Sequence, residues 1–223
     1  HEIVWGGGYR WLSSENEQAS QQYSLVPKRR DDNLFSAFLQ DKITLLQDEV
    51  FLTLGSKFEK NDYTGFEVQP SARMSWLIDD NQTLWGSVSR AVHTPSRFSY
   101  DGLLSYNIIP PGGVATLVQS AGNKNLDSEE MIAYELGYRV QPTKTTSLDV
   151  AAFYSTYDKL FRDIAGAGYF VGPHAVVPVT AFNGNAASST GAEIAGKWNI
   201  SSMWQVAGSY SYLNLVFDNK DGG

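Results

Sequence analysis

The 223-residue chain has no cysteine, which removes disulfide staples, thiol catalysis and thiolate zinc sites without fixing a compartment. Histidine is scarce as well. His1, His93 and His174 lie far apart, and no Ser/His/Asp order or metal-ligand spacing joins them. No catalytic residue, metal or cofactor is therefore expected. Cations are in deficit, with Lys and Arg numbering 17 against 24 Asp and Glu for a net charge of −7. A nucleic-acid partner, which needs a basic patch to neutralise phosphates, is not expected. No run reaches the roughly 18 apolar residues that a transmembrane helix requires. A transmembrane β-barrel is not excluded by that, because its strands turn half their side chains to a polar lumen.

What the chain does have is aromatic residues, 13 % of the total, and 20 glycines, arranged with period two. Ile132, Tyr134, Leu136 and Tyr138 fall on one side of an extended segment, with Ala133, Glu135, Gly137 and Arg139 on the other. A short polar turn at 141–144 leads to a second such segment, with Leu148, Val150, Ala152 and Tyr154 on its apolar side. Two alternating strands around a short turn make a hairpin. The same reading gives strands over 3–11, 33–46, 50–57, 67–78, 83–92, 192–200 and 204–212, about nine in all. Asp41 interrupts the apolar side of the second, which either a bulge or the strand's end at a membrane boundary explains. Loops are expected over 13–32, 96–129 and 158–181, the second holding Pro110 to Gly113. The paired acids Asp79–Asp80 and Glu129–Glu130 read as solvated turn or loop charges.

The residues also carry a resemblance. Residues 122–129 read GNKNLDSE, 134–138 read YELGY and 152–154 read AFY. Together they resemble a signature of TonB-dependent outer-membrane receptors, with Lys124 and Ser128 where that family prefers proline and Asp127 where it prefers lysine. Pro70 to Arg73 and Arg90 to Ser96 resemble a second family segment, with Val92, His93 and Thr94 replacing its Phe-Arg-Ala. Phe182 to Gly184 followed by Thr190 to Glu193 resembles a third. The likeness covers most of the chain and is most specific over 120–212.

Turns alternate between short and long, as in barrels whose short turns face the periplasm and long loops the outside. Trp76, Trp198 and Trp204 lie beside short turns, and Tyr9 and Trp11 beside a long loop, as aromatic belts require. A charge at the bilayer midplane costs roughly 2–4 kcal/mol, so Lys57, Arg73, Glu135, Arg139, Asp149, Glu193 and Lys197 are expected to face a wet lumen. The expected fold is an all-β, antiparallel up-and-down transmembrane β-barrel. Residues 1–223 then form part of a larger barrel, since the family is known for 22 strands and an N-terminal plug, with the plug and C-terminal strands expected outside this stretch. A soluble antiparallel β-sheet binding module or a passive outer-membrane pore is the alternative.

The resemblance implies localisation to the bacterial outer membrane. It further implies energised uptake of a scarce small-molecule ligand, most often an iron chelate (ferric siderophore), with TonB as partner through the N-terminal region. Outer-membrane lipid and lipopolysaccharide are the surrounding partners, and Lys28, Arg29 and Arg30 are candidates for lipopolysaccharide phosphates. For ligand contact, the candidates are the loop residues Arg97, Tyr100, Tyr106, Tyr169, Phe170 and His174, because aromatic platforms and a cation suit a planar, often anionic chelate.

Overall fold

Alternation along the strands decides the architecture. The computed structural model describes residues 1–16, 22–108 and 113–218, so Pro110 to Pro111 and Gly112 of the long loop lie outside the described residues. Nine long strands follow one another as neighbours. They are β1 (Glu2–Glu15), β3 (Arg29–Leu46), β4 (Val50–Asn61), β5 (Gly65–Asp79), β6 (Gln82–His93), β9 (Glu129–Thr143), β10 (Thr146–Ala165), β12 (His174–Asn199) and β13 (Gln205–Asp218). Each pairs antiparallel with the next along this series. The result is one curled sheet, the wall of part of a barrel.

The expected loops hold further structure. Within 13–32 lies β2 (Tyr23–Leu25), and β3 already starts at Arg29. Between β6 and β9 come α1 (Arg97–Asp101), β7 (Gly102–Ile108) and β8 (Thr116–Ala121). Most of 158–181 is strand: β10 runs on to Ala165, β11 (Tyr169–Val171) follows, and β12 starts at His174. The run Ala175 to Thr180, rich in valine, suits a strand. One pairing departs from the antiparallel expectation, because β8 lies parallel to β12 from Thr116↔Ala175 to Ala121↔Thr180. That is geometrically open to it because β9, β10 and β11 lie between β8 and β12 in the chain, so no hairpin joins the two.

Register sorts the two faces. Trp76, Leu84, Tyr138, Val150, Ile194 and Tyr210 share one row across β5 to β13. The next residues along those strands, among them Arg73, Glu135, Arg139, Asp149, Glu193 and Lys197, share the other face. Most large side chains of the apolar face are exposed, with Trp5, Trp76, Trp198, Trp204 and Tyr210 all open. Apolar side chains exposed in that density fit a hydrocarbon solvent and no aqueous one.

Aromatic belts bound this face. Tyr134 stacks beside Tyr154 at 6.3 Å, Phe58 beside Phe66 at 6.3 Å and Tyr9 beside Phe35 at 4.8 Å. Following the register from Tyr154 across five strand pairs leads to Asp41 on β3, six residues below Phe35. Five spacings of about 4.8 Å make about 24 Å, and a tilt of about 40° converts that into about 20 Å along the strands, roughly six residues. One belt at constant depth therefore links Tyr154 to Phe35. By the same geometry Asp41 sits close to the inner belt that runs from Trp198 through Trp76. Its ladder is regular, the shift in β3–β4 falling between Thr44 and Leu46, and His1 Nδ1 lies 2.7 Å from its Oδ2. The membrane boundary, not a bulge, explains this acid on the apolar side.

On the lumen face the Trp85 ring lies flat over Gly137. A Cβ there would meet Trp85 Cε2 at 2.3 Å, so only glycine admits the ring, over which Arg73 places its guanidinium at 4.5 Å.

Two alanines on β12 test the assignment of faces. Ala192 lies on the lipid row and Ala195 on the lumen row opposite Asp149, beside an open trough of about 440 Å³ that Lys197 and Ser209 also line. In the full-length receptor, Ala192→Arg is expected to cost about 2–4 kcal/mol and Ala195→Arg at most about 1 kcal/mol. Urea-dependent loss of the compact, heat-modifiable band on gel electrophoresis reads the difference. Equal costs would reverse or abolish the assignment.

Candidate functional site

Beyond the outer belt the loops form a crown, and one arginine organises it. The β4–β5 turn sets the first wall. Asn61 Oδ1 accepts from the backbone N–H groups of Tyr63 and Thr64, both at 2.8 Å, and Gly65 completes the turn at φ +82°, a region glycine enters without strain. Tyr63 is thereby aimed at the start of β3. The second wall comes from α1, capped by Ser96, whose Oγ accepts from Ser99 N at 3.0 Å. Arg97 and Asp101 stand four residues apart on this single turn and so share one side of it.

Arg30 lies between the walls. Its guanidinium carbon is 4.4 Å from the Tyr63 ring centroid and 4.7 Å from that of Tyr100, and the two rings meet edge-on at 5.1 Å. Nε donates to Asp32, Nη1 donates to Asp101 Oδ2 at 3.0 Å, and Tyr63 Oη donates to the other Asp32 oxygen at 2.8 Å. The Asp101 side chain is 0 % exposed. Burial, and next the hydrogen bond to the Asp32 carboxylate, push the Tyr63 phenol up to about 12.

Arg97 completes the tie from the other end of α1. Nη1 donates to Ser14 O at 3.0 Å and to Ser14 Oγ, and Nη2 donates to Pro27 O and Lys28 O at 2.9 and 2.8 Å. Backbone pairing reinforces it, since Val26 N donates to Asp101 O, and Tyr23–Leu25 pairs with Gly102–Leu104. At its other end the segment is held by the β8–β12 pairing and by Asn123 Nδ2 donating to Ala181 O at 2.9 Å. Residues 97–108 and 113–121 thus form a strap, tied to the β1–β3 connection at one end and to β12 at the other.

The six sequence candidates divide between the two ends of this strap. Arg97 and Tyr100 belong to the tie, Arg97 bonded to loop carbonyls and Tyr100 packed on Arg30. Tyr169, Phe170 and His174 come together on the β11–β12 hairpin, where Val171 pairs with His174. Phe170 is 70 % exposed. Tyr106 lies in register with Val118 on β8 and, through it, with Val177 on β12. Period two then places Tyr106 and Phe170 on one face of this small sheet and Tyr169 on the other. Arg30, grouped from the sequence with Lys28 and Arg29 as an outer basic face, turns inward instead. The signal was the alternation of β3, which sets Arg30, Asp32 and Leu34 on one side and Arg29 and Asp31 on the other. Tyr63 and Asp101 carried no such signal.

Two cavities open beside the strap. One of about 170 Å³ is lined by Arg10, Asp32, Glu59, Asn61 and Tyr63. Another of about 190 Å³ is lined by Phe98, Ser99, Ser120, Phe161 and Asp163. Among the described residues no group of three or more His, Cys, Asp or Glu could hold a metal ion.

The family profile described as TonB dependent receptor-like, beta-barrel matches residues 1–223. The chain belongs to that family. As part of such a receptor barrel it lies in the bacterial outer membrane. An Acinetobacter baumannii protein named "Probable TonB-dependent siderophore receptor PirA" is 27 % identical over 175 residues, 77 % of this chain and 22 % of that one. Among solved structures, a mutant of the ferric enterobactin receptor PfeA of Pseudomonas aeruginosa, in complex with enterobactin, superposes with a TM-score of 0.78 at 18 % identity. That match covers 95 % of this chain and 33 % of PfeA. The siderophore receptor PirA from Acinetobacter baumannii gives 0.71 at 17 % identity, covering 95 % and 34 %. At these identities the solved structures show the fold. The receptor barrel stretch described here thus spans about a third of their length and less of the curated relative.

Two outcomes test the tie. Arg30→Met leaves Asp32 and the buried Asp101 without their cation, and removing one partner of such a pair costs about 3–5 kcal/mol. Hydrogen exchange at the Val26 and Ser105 amides, which cap the β2–β7 pairing, is expected to accelerate while β9–β10 amides hold. Unchanged exchange at Val26 would remove Arg30 from its organising role. Separately, the folded Tyr63 value exceeds the ordinary phenol value of 10.0, so its contribution is full below pH 10 and is lost as pH rises towards about 12. Ultraviolet difference titration of wild type against Tyr63→Phe is expected to show one phenolate forming near pH 12. A missing step forming near pH 10 instead would contradict the contact.

Proposed function

We propose that the receptor carrying this chain imports a ferric siderophore across the outer membrane, driven through TonB, with no chemistry on its cargo. The observation that supports this reading best is the family match over 1–223 together with a curated relative named as a siderophore receptor. The geometry agrees. The wall has a charged lumen face, and the small sheet of the strap presents exposed Tyr106 and Phe170 on one face, with exposed Tyr169 on the other. Aromatic faces and polar edges converging on a concave mouth suit capture of a chelate about the size of a drug.

A passive pore would move solute down its gradient and ignore the inner-membrane energy supply. Uptake of a radioactive iron-loaded siderophore by cells grown without iron separates the two. Deleting the gene, deleting TonB or collapsing the proton gradient is each expected to abolish uptake. Uptake that survives loss of TonB and of the gradient would establish the pore instead.

A further inference from the structure

The charges of the crown bear on which chelate is taken, an inference that rests on the uptake reading above. Over the crown segments 11–16, 22–32, 61–67, 93–108, 113–130 and 158–185, eleven carboxylates face seven cations. Four of the seven cations are moreover engaged within the crown. Arg30 is held by Asp32 and Asp101, and Arg97 by the carbonyls of Ser14, Pro27 and Lys28. Lys159 Nζ lies 2.8 Å from Glu130 and 3.7 Å from Asp127, and Arg29 Nε lies 3.9 Å from Asp31. Both crown cavities repeat the bias. The first sets Arg10 against Asp32 and Glu59, and the second has Asp163 as its one charged lining residue, beside Phe98 and Phe161.

A cleft lined by one sign of charge focuses its field and sorts ligands before contact. Iron(III) held by three catecholates, each doubly negative, leaves a triply negative chelate. Held by three hydroxamates, each singly negative, it leaves a neutral one, and a pendant protonated amine makes that singly positive. We infer that this crown selects a neutral or positive ferric chelate of the hydroxamate kind over a triply negative catecholate. A trianion entering here meets carboxylates in excess and guanidinium groups already bonded. A pendant ammonium meets Asp163 and the faces of Phe98 and Phe161, which attract cations. PfeA, bound to enterobactin, shares the fold at 18 % identity, a likeness that leaves crown charges free to differ.

The test uses the purified full-length receptor and three iron(III) probes: a tris-catecholate, a tris-hydroxamate without pendant charge, and a linear tris-hydroxamate with a protonated amine. Quenching of tryptophan fluorescence reads binding at low and at physiological ionic strength. At low salt both hydroxamates are expected to bind at least about tenfold tighter than the catecholate, the gap narrowing as salt screens it. Asp163→Lys is expected to raise affinity for the catecholate and leave the uncharged hydroxamate unchanged. Catecholate binding as tight as that of the uncharged hydroxamate in the wild type would overturn the charge assignment while leaving the uptake reading intact. Binding of none of the three would overturn the uptake reading itself.

Discussion

Hydrocarbon offers no hydrogen-bond partner to a peptide group, and the wall is built around that fact. Every strand from β1 to β13 in the barrel series pairs with its neighbour, and the ladder is regular wherever it crosses the apolar belt-to-belt region. Irregularities collect at the ends. Shifts fall at Thr44/Leu46, Leu77/Asp79 and Thr146/Leu148 near the inner turns, and at Tyr157/Leu160 beyond the outer belt. Near that belt the β5–β6 ladder stops at Ser71↔Ser89, next to Pro70, which has no N–H to give. There Arg90 donates from Nη1 to the freed Val68 carbonyl and also reaches Glu130. Even where pairing lapses, a side chain meets the carbonyl.

Above the belt the constraint relaxes and a different logic takes over. Water satisfies loop peptides, so no ladder is forced, and position is fixed by a few specific groups. Arg30 is the chief of these. It joins β3 to the β4–β5 turn through Tyr63 and to α1 through Asp101, while Arg97 fastens α1 to carbonyls 69, 70 and 83 residues away in sequence. A half-exposed pair would contribute little; a carboxylate with no exposed side-chain surface depends on its cation. The strap therefore reaches the mouth as a set of rigid elements, with Tyr106 and Phe170 presented on one face of a small sheet. The same bonds that order the crown engage the guanidinium groups of Arg30 and Arg97, which ties the shape of the mouth to its charge.

Period-two alternation is a local property, and wherever one face must meet lipid it is legible. The nine barrel strands, their short inner turns and the inward charges all sit in stretches where neighbours in sequence state the pattern. Asp41 was legible as an exception, and its explanation waited on the tilt that relates Tyr154 to Phe35. The crown was less legible. β7 and β8 are short and partly buried, β11 is only three exposed residues, and none has a clean two-residue rhythm, so 96–129 and 158–181 read as loops. Of the candidate site, the aromatic residues of the β11–β12 hairpin were visible as exposed rings in a glycine-rich stretch.

What the sequence by itself determined is the membrane wall: its strand order, its two faces and its kinship, because adjacent residues in an extended chain point oppositely and lipid tolerates only one of the two faces. What only the tertiary structure decided is the fate of the crown residues. Arg30, Tyr63, Asp101 and Arg97 meet across 31 to 83 residues of chain, and no periodicity relates positions so far apart. Whether a cation there greets a ligand or holds a strap depends on which distant carboxylate or carbonyl the fold brings within about 3 Å.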